Sequence, residues 1–275
     1  MTSSRVSILL GAVLGLAAVA ASPSIGFADG YYSGPSIKDT VAPPPPGRTW
    51  YFKGTLGVSS PDVGDLEYGP FQGGNFDVVH KDMKSSPFYG IGVGIEHSRW
   101  LRFDVTGEYR GKYLFVGQDF YRNGPCTGDP TVCGTNEYTA DVSGWLGLAN
   151  AYIDLWSFRG ITPYIGGGVG LASIEVDGFK DVNVPANGVA YGAGDTNTNF
   201  AWALYAGLSY DVTPQFTVDL AYRYVDMGDA ATGTVTTFDG NGSGPGMTIN
   251  DVHSNDLLLN LRYRLDHPVA YAPVK

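Results

Sequence analysis

Residues 255–265, near the end of the chain, alternate in polarity from one position to the next. Leu257, Leu259 and Leu261 occupy one phase, while Asp256 and Arg262 occupy the other. A period of two indicates a β-strand, because successive side chains of a strand point to opposite faces. One face of this predicted strand is apolar and the other is charged.

Seven further segments alternate in the same way and bring the number of predicted strands to eight. In chain order the predicted strands are residues 50–59, 87–97, 100–110, 137–156, 161–176, 199–212, 215–226 and 255–265. Within 137–156, Asp141 and Ser143 break the phase set by Trp145 and Ile153, which predicts a bulge or a different strand boundary.

The predicted connections alternate between short and long. Short connections fall at 98–99, 157–160 and 213–214, and long ones at 60–86, 112–136, 177–198 and 228–253. Alternating connection lengths are typical of outer-membrane barrels, and an even number of strands closes without a free edge. The sequence therefore predicts an all-β fold, an eight-stranded antiparallel up-and-down transmembrane β-barrel over residues 49–265. A soluble periplasmic sandwich is the alternative.

Both ends of the chain differ from this pattern. Arg5, a following apolar run and the small residues Gly26 and Ala28 predict a secretory signal peptide over residues 1–28, with a retained membrane helix as the alternative. Four consecutive prolines at 43–46 predict that residues 29–48 form an extended periplasmic spacer. Residues 266–275 form a C-terminal tail.

The net charge and the cysteines of the chain bear on its partners and on its covalent links. The net charge is −10 and the isoelectric point about 4.7, which argues against nucleic acid as a partner, because binding to nucleic acid depends on Lys and Arg that neutralise its phosphates. The chain has 2 cysteines, Cys126 and Cys133, and in an exported protein we expect them to form a disulfide. A metal-binding pair is the alternative.

Aromatic residues lie near the ends of the predicted apolar rows, as expected for the two interfacial belts of a membrane barrel. Ordinary core aromatics of a soluble sandwich are the alternative. These aromatic residues are Trp50, Tyr89, Trp100, Tyr109, Trp202, Tyr210, Phe216, Tyr224 and Tyr263.

The opposite faces of the predicted strands would point into the barrel. An eight-stranded barrel is only wide enough for side chains to fill it, and charges in such an interior must be paired. We therefore predict a structural ion-pair network in the lumen, with a proton relay or a selective pore as the alternative. Its predicted members are Lys53, Glu96, Arg102, Asp104, Glu108, Arg110, Asp219, Arg223, Asp256, Arg262 and Arg264.

Other motifs predict no catalytic, cofactor or metal site. The glycine runs at 90–94 and 166–170 lie inside strands and not before a helix, so they do not indicate dinucleotide binding; we expect them to leave room for long arginines. The segment from Asp239 to Gly244 begins like a calcium loop, but Asn250 stands at the final ligand position. His253 and Ser254 are adjacent in sequence, and adjacent residues of a strand point to opposite faces, so we expect no Ser-His-acid site from His253, Ser254 and Asp256.

Four segments carry a resemblance to a known family: residues 50–54 (WYFKG), 148–154 (LANAYID), 162–170 (TPYIGGGVG) and 221–224 (AYRY). Over residues 49–265 the chain resembles the eight-stranded outer-membrane β-barrels common in alphaproteobacteria, similar in architecture to the opacity proteins and the OmpA transmembrane domain. The resemblance implies a non-enzymatic surface protein with a role in envelope integrity or adhesion, with haem binding in some branches. A small diffusion pore and a lipid-modifying enzyme stay open as alternatives.

The same resemblance implies the partners. They are outer-membrane lipid and lipopolysaccharide, the barrel-insertion machinery, and a host surface or peptidoglycan. Such barrels usually end on an aromatic residue of the last strand, whereas here residues 266–275 follow it. We expect the insertion signal to lie internally, at Tyr263 to Leu265.

Overall fold

The computed structural model describes residues 49–68, 75–122, 124–129, 132–185 and 187–265. The predicted signal peptide, spacer and tail lie outside these ranges. Every regular element within them is a β-strand: β1 (Thr49–Asp62), β2 (Leu66–Tyr68), β3 (Asn75–Met83), β4 (Ser86–Glu96), β5 (Leu101–Arg122), β6 (Cys133–Asp154), β7 (Ile161–Asn183), β8 (Gly188–Gly192), β9 (Asp195–Asp211), β10 (Phe216–Asp226), β11 (Ala230–Ala231), β12 (Val235–Thr237), β13 (Ser243–Gly244), β14 (Met247–Ile249) and β15 (His253–Arg264). Among these residues, no helix is long and apolar enough to cross a membrane.

Eight of the strands pair around a complete ring. From β1 the antiparallel pairings run through β4, β5, β6, β7, β9, β10 and β15, and β15 pairs back with β1. These are the eight predicted strands, so the predicted all-β, eight-stranded antiparallel architecture is confirmed.

Burial alternates along the ring strands in the predicted phase. On β15, Leu259 and Leu261 are 39% and 40% exposed, whereas Arg262 is 3% exposed. On β1, Phe52 is exposed and Lys53 is buried. The ring therefore carries apolar side chains on its outer surface and charged side chains inside, which is the arrangement that a lipid environment favours.

Exposed aromatic side chains form two belts around the ring. The inner belt lies beside the short turns and includes Trp50, Trp100, Trp156, Tyr210 and Tyr263. The outer belt lies toward the opposite end of the ring strands; in it Tyr109 contacts Tyr89 and Trp145, at ring-centroid distances of 5.7 and 5.0 Å, and Trp202 contacts Tyr224 at 5.4 Å. Amphipathic rings at two heights mark the two interfaces of a membrane-spanning band.

The prediction of long loops is wrong for much of the outer side of the barrel. β5 continues to Arg122, β6 begins at Cys133 and β7 continues to Asn183, while β3 pairs with the added part of β5. We call the parts of β5, β6 and β7 beyond the outer belt, together with β3, β8, β12 and β13, the outer extension.

The apparent break of phase in β6 has a simple cause. Asp141 and Ser143 point outward like Trp145, but they lie above the outer belt, where outward positions meet water and not lipid. The alternation of burial continues through both residues. Register shifts do occur nearby, between Arg110 and Tyr113 where β5 pairs with β6, and along the β6–β7 pair just before Asp141.

The connections at 60–86 and 228–253 are also more structured than predicted. β2, β14 and β11 pair into a separate three-stranded sheet. Leu66, Met247 and Ile249 of this sheet are buried together with Tyr138 and Phe179 of the outer extension, in one hydrophobic cluster. We call the β2–β14–β11 sheet the cap, because it packs on the inner face of the outer extension.

Candidate functional site in the barrel lumen

The outer part of the lumen is centred on Arg223, which is 0% exposed. Its guanidinium donates to both carboxylate oxygens of Glu108 at 2.7 Å and to Asp256 at 2.7 Å. Arg110 donates to the same Asp256 oxygen and also to Ser254, at 3.0 Å. Paired planar hydrogen bonds of this kind fix both the distance and the orientation of the charges.

The middle of the lumen is centred on Asp104. It accepts hydrogen bonds from Lys53 at 2.9 Å, Tyr51 at 3.1 Å and Asn150 at 2.7 Å. Lys53 also donates to the hydroxyl of Tyr152 at 3.0 Å. Asp104 of β5 thus accepts hydrogen bonds from side chains of both β1 and β6.

The inner end of the lumen holds a chain of ion pairs. Arg262 donates to Asp219 at 2.8 and 3.0 Å and to Glu96 at 3.1 Å. Arg264 donates to Glu96 at 2.9 Å and to Asp211 at 3.1 Å. These residues come from β4, β9, β10 and β15, so the network links strands across the ring.

Arg102 is held differently. It pairs with Asp154 at 3.0 Å, and its guanidinium lies over the rings of Tyr152 and Tyr164, at 4.6 and 4.4 Å from their centroids. Cation–π contacts of this kind are favourable when the cation is desolvated.

All eleven predicted residues therefore contact at least one other charged side chain inside the ring. The predicted set omitted two acids that join them, Asp154 and Asp211. Both stand in the inward phase of their strands, so the alternation alone contained the signal for including them. With these two additions the set of described lumen residues comprises seven acids and six bases.

The strand glycines make room for aromatic and polar side chains, and the expectation that they accommodate arginines is wrong. A Cβ atom added at Gly94 would lie 2.4 Å from Cζ of Tyr51, and one at Gly166 would lie 2.4 Å from Cδ1 of Tyr152. Both tyrosine rings therefore pack flat against glycine backbone on the neighbouring strand. Their hydroxyl groups are then placed within reach of Asp104 and Lys53.

The structure brings no catalytic arrangement together around His253. Ser254 donates to Asp256 at 2.8 Å inside the lumen. The His253 ring instead lies 5.6 Å from the Tyr224 ring of the outer belt. The residues that the structure describes contain no group of three or more His, Cys, Asp or Glu side chains suited to a metal.

Two surface predictions fall on the outer loops. Asp239 accepts hydrogen bonds from Thr237 and Asn241, and these bonds lower the pKa of its carboxyl to about 2. The structure joins Cys126 and Cys133 in a disulfide, with 5.5 Å between their Cα atoms. The disulfide ties the tip of the β5–β6 hairpin to the start of β6.

A comparison with known protein families agrees with the barrel fold. Residues 41–264 match the family described as outer membrane protein beta-barrel domain. The chain belongs to this family. The protein is accordingly a protein of the cell outer membrane, and its ring lies in the lipid of that membrane.

The individual proteins that resemble this chain share 30% or less of its sequence in the aligned regions. An uncharacterized protein of Brucella abortus is 30% identical over 202 residues, which cover 66% of this chain and 69% of the relative. Outer membrane protein PagN of Salmonella typhimurium is 30% identical over 124 residues, covering 42% of this chain and 47% of PagN. Among solved structures, Neisserial surface protein A is 16% identical with a TM-score of 0.41, covering 79% of this chain and 99% of that chain.

Proposed function

We propose that this protein is a non-enzymatic, non-conducting outer-membrane barrel that presents an ordered structure at the cell surface. The role that we assign to that structure is of the envelope-integrity or adhesion type. The observation that carries the proposal is the filled lumen: buried ion pairs extend from Arg110 and Arg223 at the outer end to Arg262 at the inner end.

The filled lumen favours a structural barrel over a diffusion pore. Opening a water path would require charges such as Arg223 and Asp256, which are 0% and 1% exposed, to exchange their partners for water. The cap adds a second obstacle, because its buried apolar residues pack inside the outer extension.

Planar-bilayer recordings test the closed lumen. We expect the purified, refolded protein to show no discrete conductance steps. A matched control is the Arg110→Ala/Arg223→Ala variant, which removes the two guanidinium groups that fill the outer lumen and should conduct more often than the wild type. Regular conductance steps from the wild-type protein would overturn the proposal.

A shortened barrel separates the two surface roles. Replacing residues 112–142 by a tight turn removes the outer β5–β6 hairpin but keeps the portions of both strands between the aromatic belts. In a deletion strain, an adhesion role predicts that this variant restores detergent resistance but not attachment to host cells. Loss of both would assign the hairpin to envelope integrity, and full restoration of both would contradict a surface role for it.

A further inference from the structure

Two carboxylates lie buried in the outer extension, well outside the membrane-spanning band. Asp119 is ten residues beyond Tyr109 of the outer belt, which corresponds to roughly 33 Å along a strand. Asp119 is 0% exposed and Asp181 is 8% exposed. Asp181 lies directly across from Tyr138 on the neighbouring strand, and Asp119 lies directly across from Asn136.

The surroundings of these acids are aromatic. The rings of Tyr68, Tyr138 and Phe179 contact one another at centroid distances of 5.5–6.0 Å. Asp119 accepts hydrogen bonds from Asn136, at 2.9 and 3.1 Å, and from the hydroxyl of Tyr138. Within the described ranges, neither carboxylate has a Lys or Arg nitrogen within 4.0 Å, in contrast to the acids of the lumen.

Asp181 is the less satisfied of the two. One carboxylate oxygen accepts a hydrogen bond from the hydroxyl of Tyr68 at 3.0 Å. The other oxygen is buried without a hydrogen-bond partner among the described residues. A buried ionised carboxylate with an unsatisfied oxygen is costly, whereas its protonated form is tolerated much better.

Tyr68 links the burial of the Asp181 carboxylate to the position of the cap. Tyr68 belongs to β2, whose pairing with β14 builds the cap, while Asp181 belongs to β7 of the outer extension. The hydrogen bond between them therefore crosses the contact between cap and outer extension. If the cap separates from the outer extension, Asp181 gains access to water, so its charge state and the closure of the cap are coupled.

We propose that the cap is an acid-tightened lid, which packs more firmly on the outer extension when Asp181 is protonated and loosens when Asp181 is ionised. The titratable groups that face Asp181 are Asp119, Tyr68 and Tyr138. The two tyrosines stay neutral over the relevant pH range, because burial raises the pKa of both. Asp119 adds negative charge whenever it ionises and so disfavours ionisation of Asp181.

The direction of the effect follows from linkage. Burial raises the pKa of Asp181 from 3.8 to about 6 in the closed cap, opposed by the Tyr68 hydrogen bond and reinforced by Asp119. The additional stability of the closed cap is fully present below pH 3.8 and is lost as the pH rises through about 6. If opening restores the ordinary pKa, closure is favoured about tenfold more at pH 5 than at pH 7.5.

Hydrogen exchange of the cap measures this change in the full-length protein in detergent micelles. After correction for intrinsic exchange rates, we expect protection of segments containing Leu66–Tyr68 and Met247–Ile249 to fall about tenfold between pH 5 and 7.5. Asp181→Asn, which is neutral at every pH, should abolish the difference. Asp177→Asn removes an exposed acid of the same strand and should retain it.

A second variant covers the case in which Asp181→Asn fails to fold. Tyr68→Phe removes the hydrogen bond that stabilises the ionised form, so the midpoint of the change in protection should move to higher pH. Equal wild-type protection at both pH values would overturn the proposal. So would an Asp181→Asn variant with the wild-type pH dependence, because the titrating group would then be another residue. Hydrogen exchange of the cap does not measure conductance. The lid proposal can therefore be wrong while the proposed function is right, and the reverse.

Discussion

Removing Arg223 tests whether the lumen network holds the barrel together through charge compensation. Arg223 is 0% exposed and donates to Glu108 and Asp256, both of which are nearly completely buried. Arg223→Met keeps much of the side-chain volume but removes the charge. Asp256 retains Arg110, whereas Glu108 loses the cation that neutralises it.

The expected loss is that of a broken buried ion pair, about 3–5 kcal/mol of unfolding free energy. The double variant Glu108→Gln/Arg223→Met removes both charges, and no uncompensated charge remains at Glu108. We therefore expect the double variant to be more stable than Arg223→Met alone, with a coupling energy of about 2–3 kcal/mol.

Urea unfolding from lipid vesicles measures both values. The folded fraction follows from tryptophan fluorescence and from the different migration of unheated and boiled samples on a gel. Lys112→Met is the matched control, because the Lys112–Asp141 pair lies on the exposed surface of the outer extension and should change stability little. A loss of less than about 1 kcal/mol in Arg223→Met would contradict charge compensation by Arg223, and so would a double variant that is as unstable as the single one.

Three further changes test other parts of the structure. Gly94→Ala should destabilise the barrel in urea unfolding, because its Cβ would lie 2.4 Å from the Tyr51 ring, whereas Gly54→Ala meets no atom within 4 Å and serves as its control. Tyr51→Phe should cost about 1 kcal/mol by losing its hydrogen bond to Asp104, and no measurable loss would mean that this bond contributes nothing. Cys126→Ser/Cys133→Ser should expose residues 124–129 to proteolysis without changing heat-modifiable migration; a barrel that fails to form would contradict a purely local role for the disulfide.

The alternation of polarity was enough to predict the ring and its orientation. Each membrane-spanning strand has one lipid-facing row and one lumen-facing row, so a period of two identifies both the strand and its inner face. The period of two predicts that Lys53, Arg102 and Arg262 face the lumen, and all three are buried there. Membership of the lumen depends on phase within a strand, which is local information.

The partners within the lumen could not be predicted in the same way. Arg262 pairs with Glu96, 166 residues away in sequence, and Arg223 pairs with Glu108, 115 residues away. Such pairs depend on strand register, on the tilt of the strands and on which side chains cross the axis. The same limitation explains the glycines: Gly94 faces Tyr51 because of a register between β1 and β4 that polarity alone does not specify.

The pattern of polarity does not predict the outer extension, because the surroundings of each strand change from lipid to water along its length. On β7, Leu171 is an exposed apolar residue between the belts, whereas Asp177, six residues further on, is an exposed acid. The inward positions change in the opposite sense, from Gly166 and Gly168 to the buried Ile174 and Val176. In the part of a strand that lies in lipid the outward positions are apolar, whereas in the part that lies in water the inward positions are apolar. One continuous apolar row along the sequence therefore ends at the membrane surface. The point of exchange therefore indicates where the lipid stops, while the strand itself continues into a water-exposed structure with a hydrophobic core of its own.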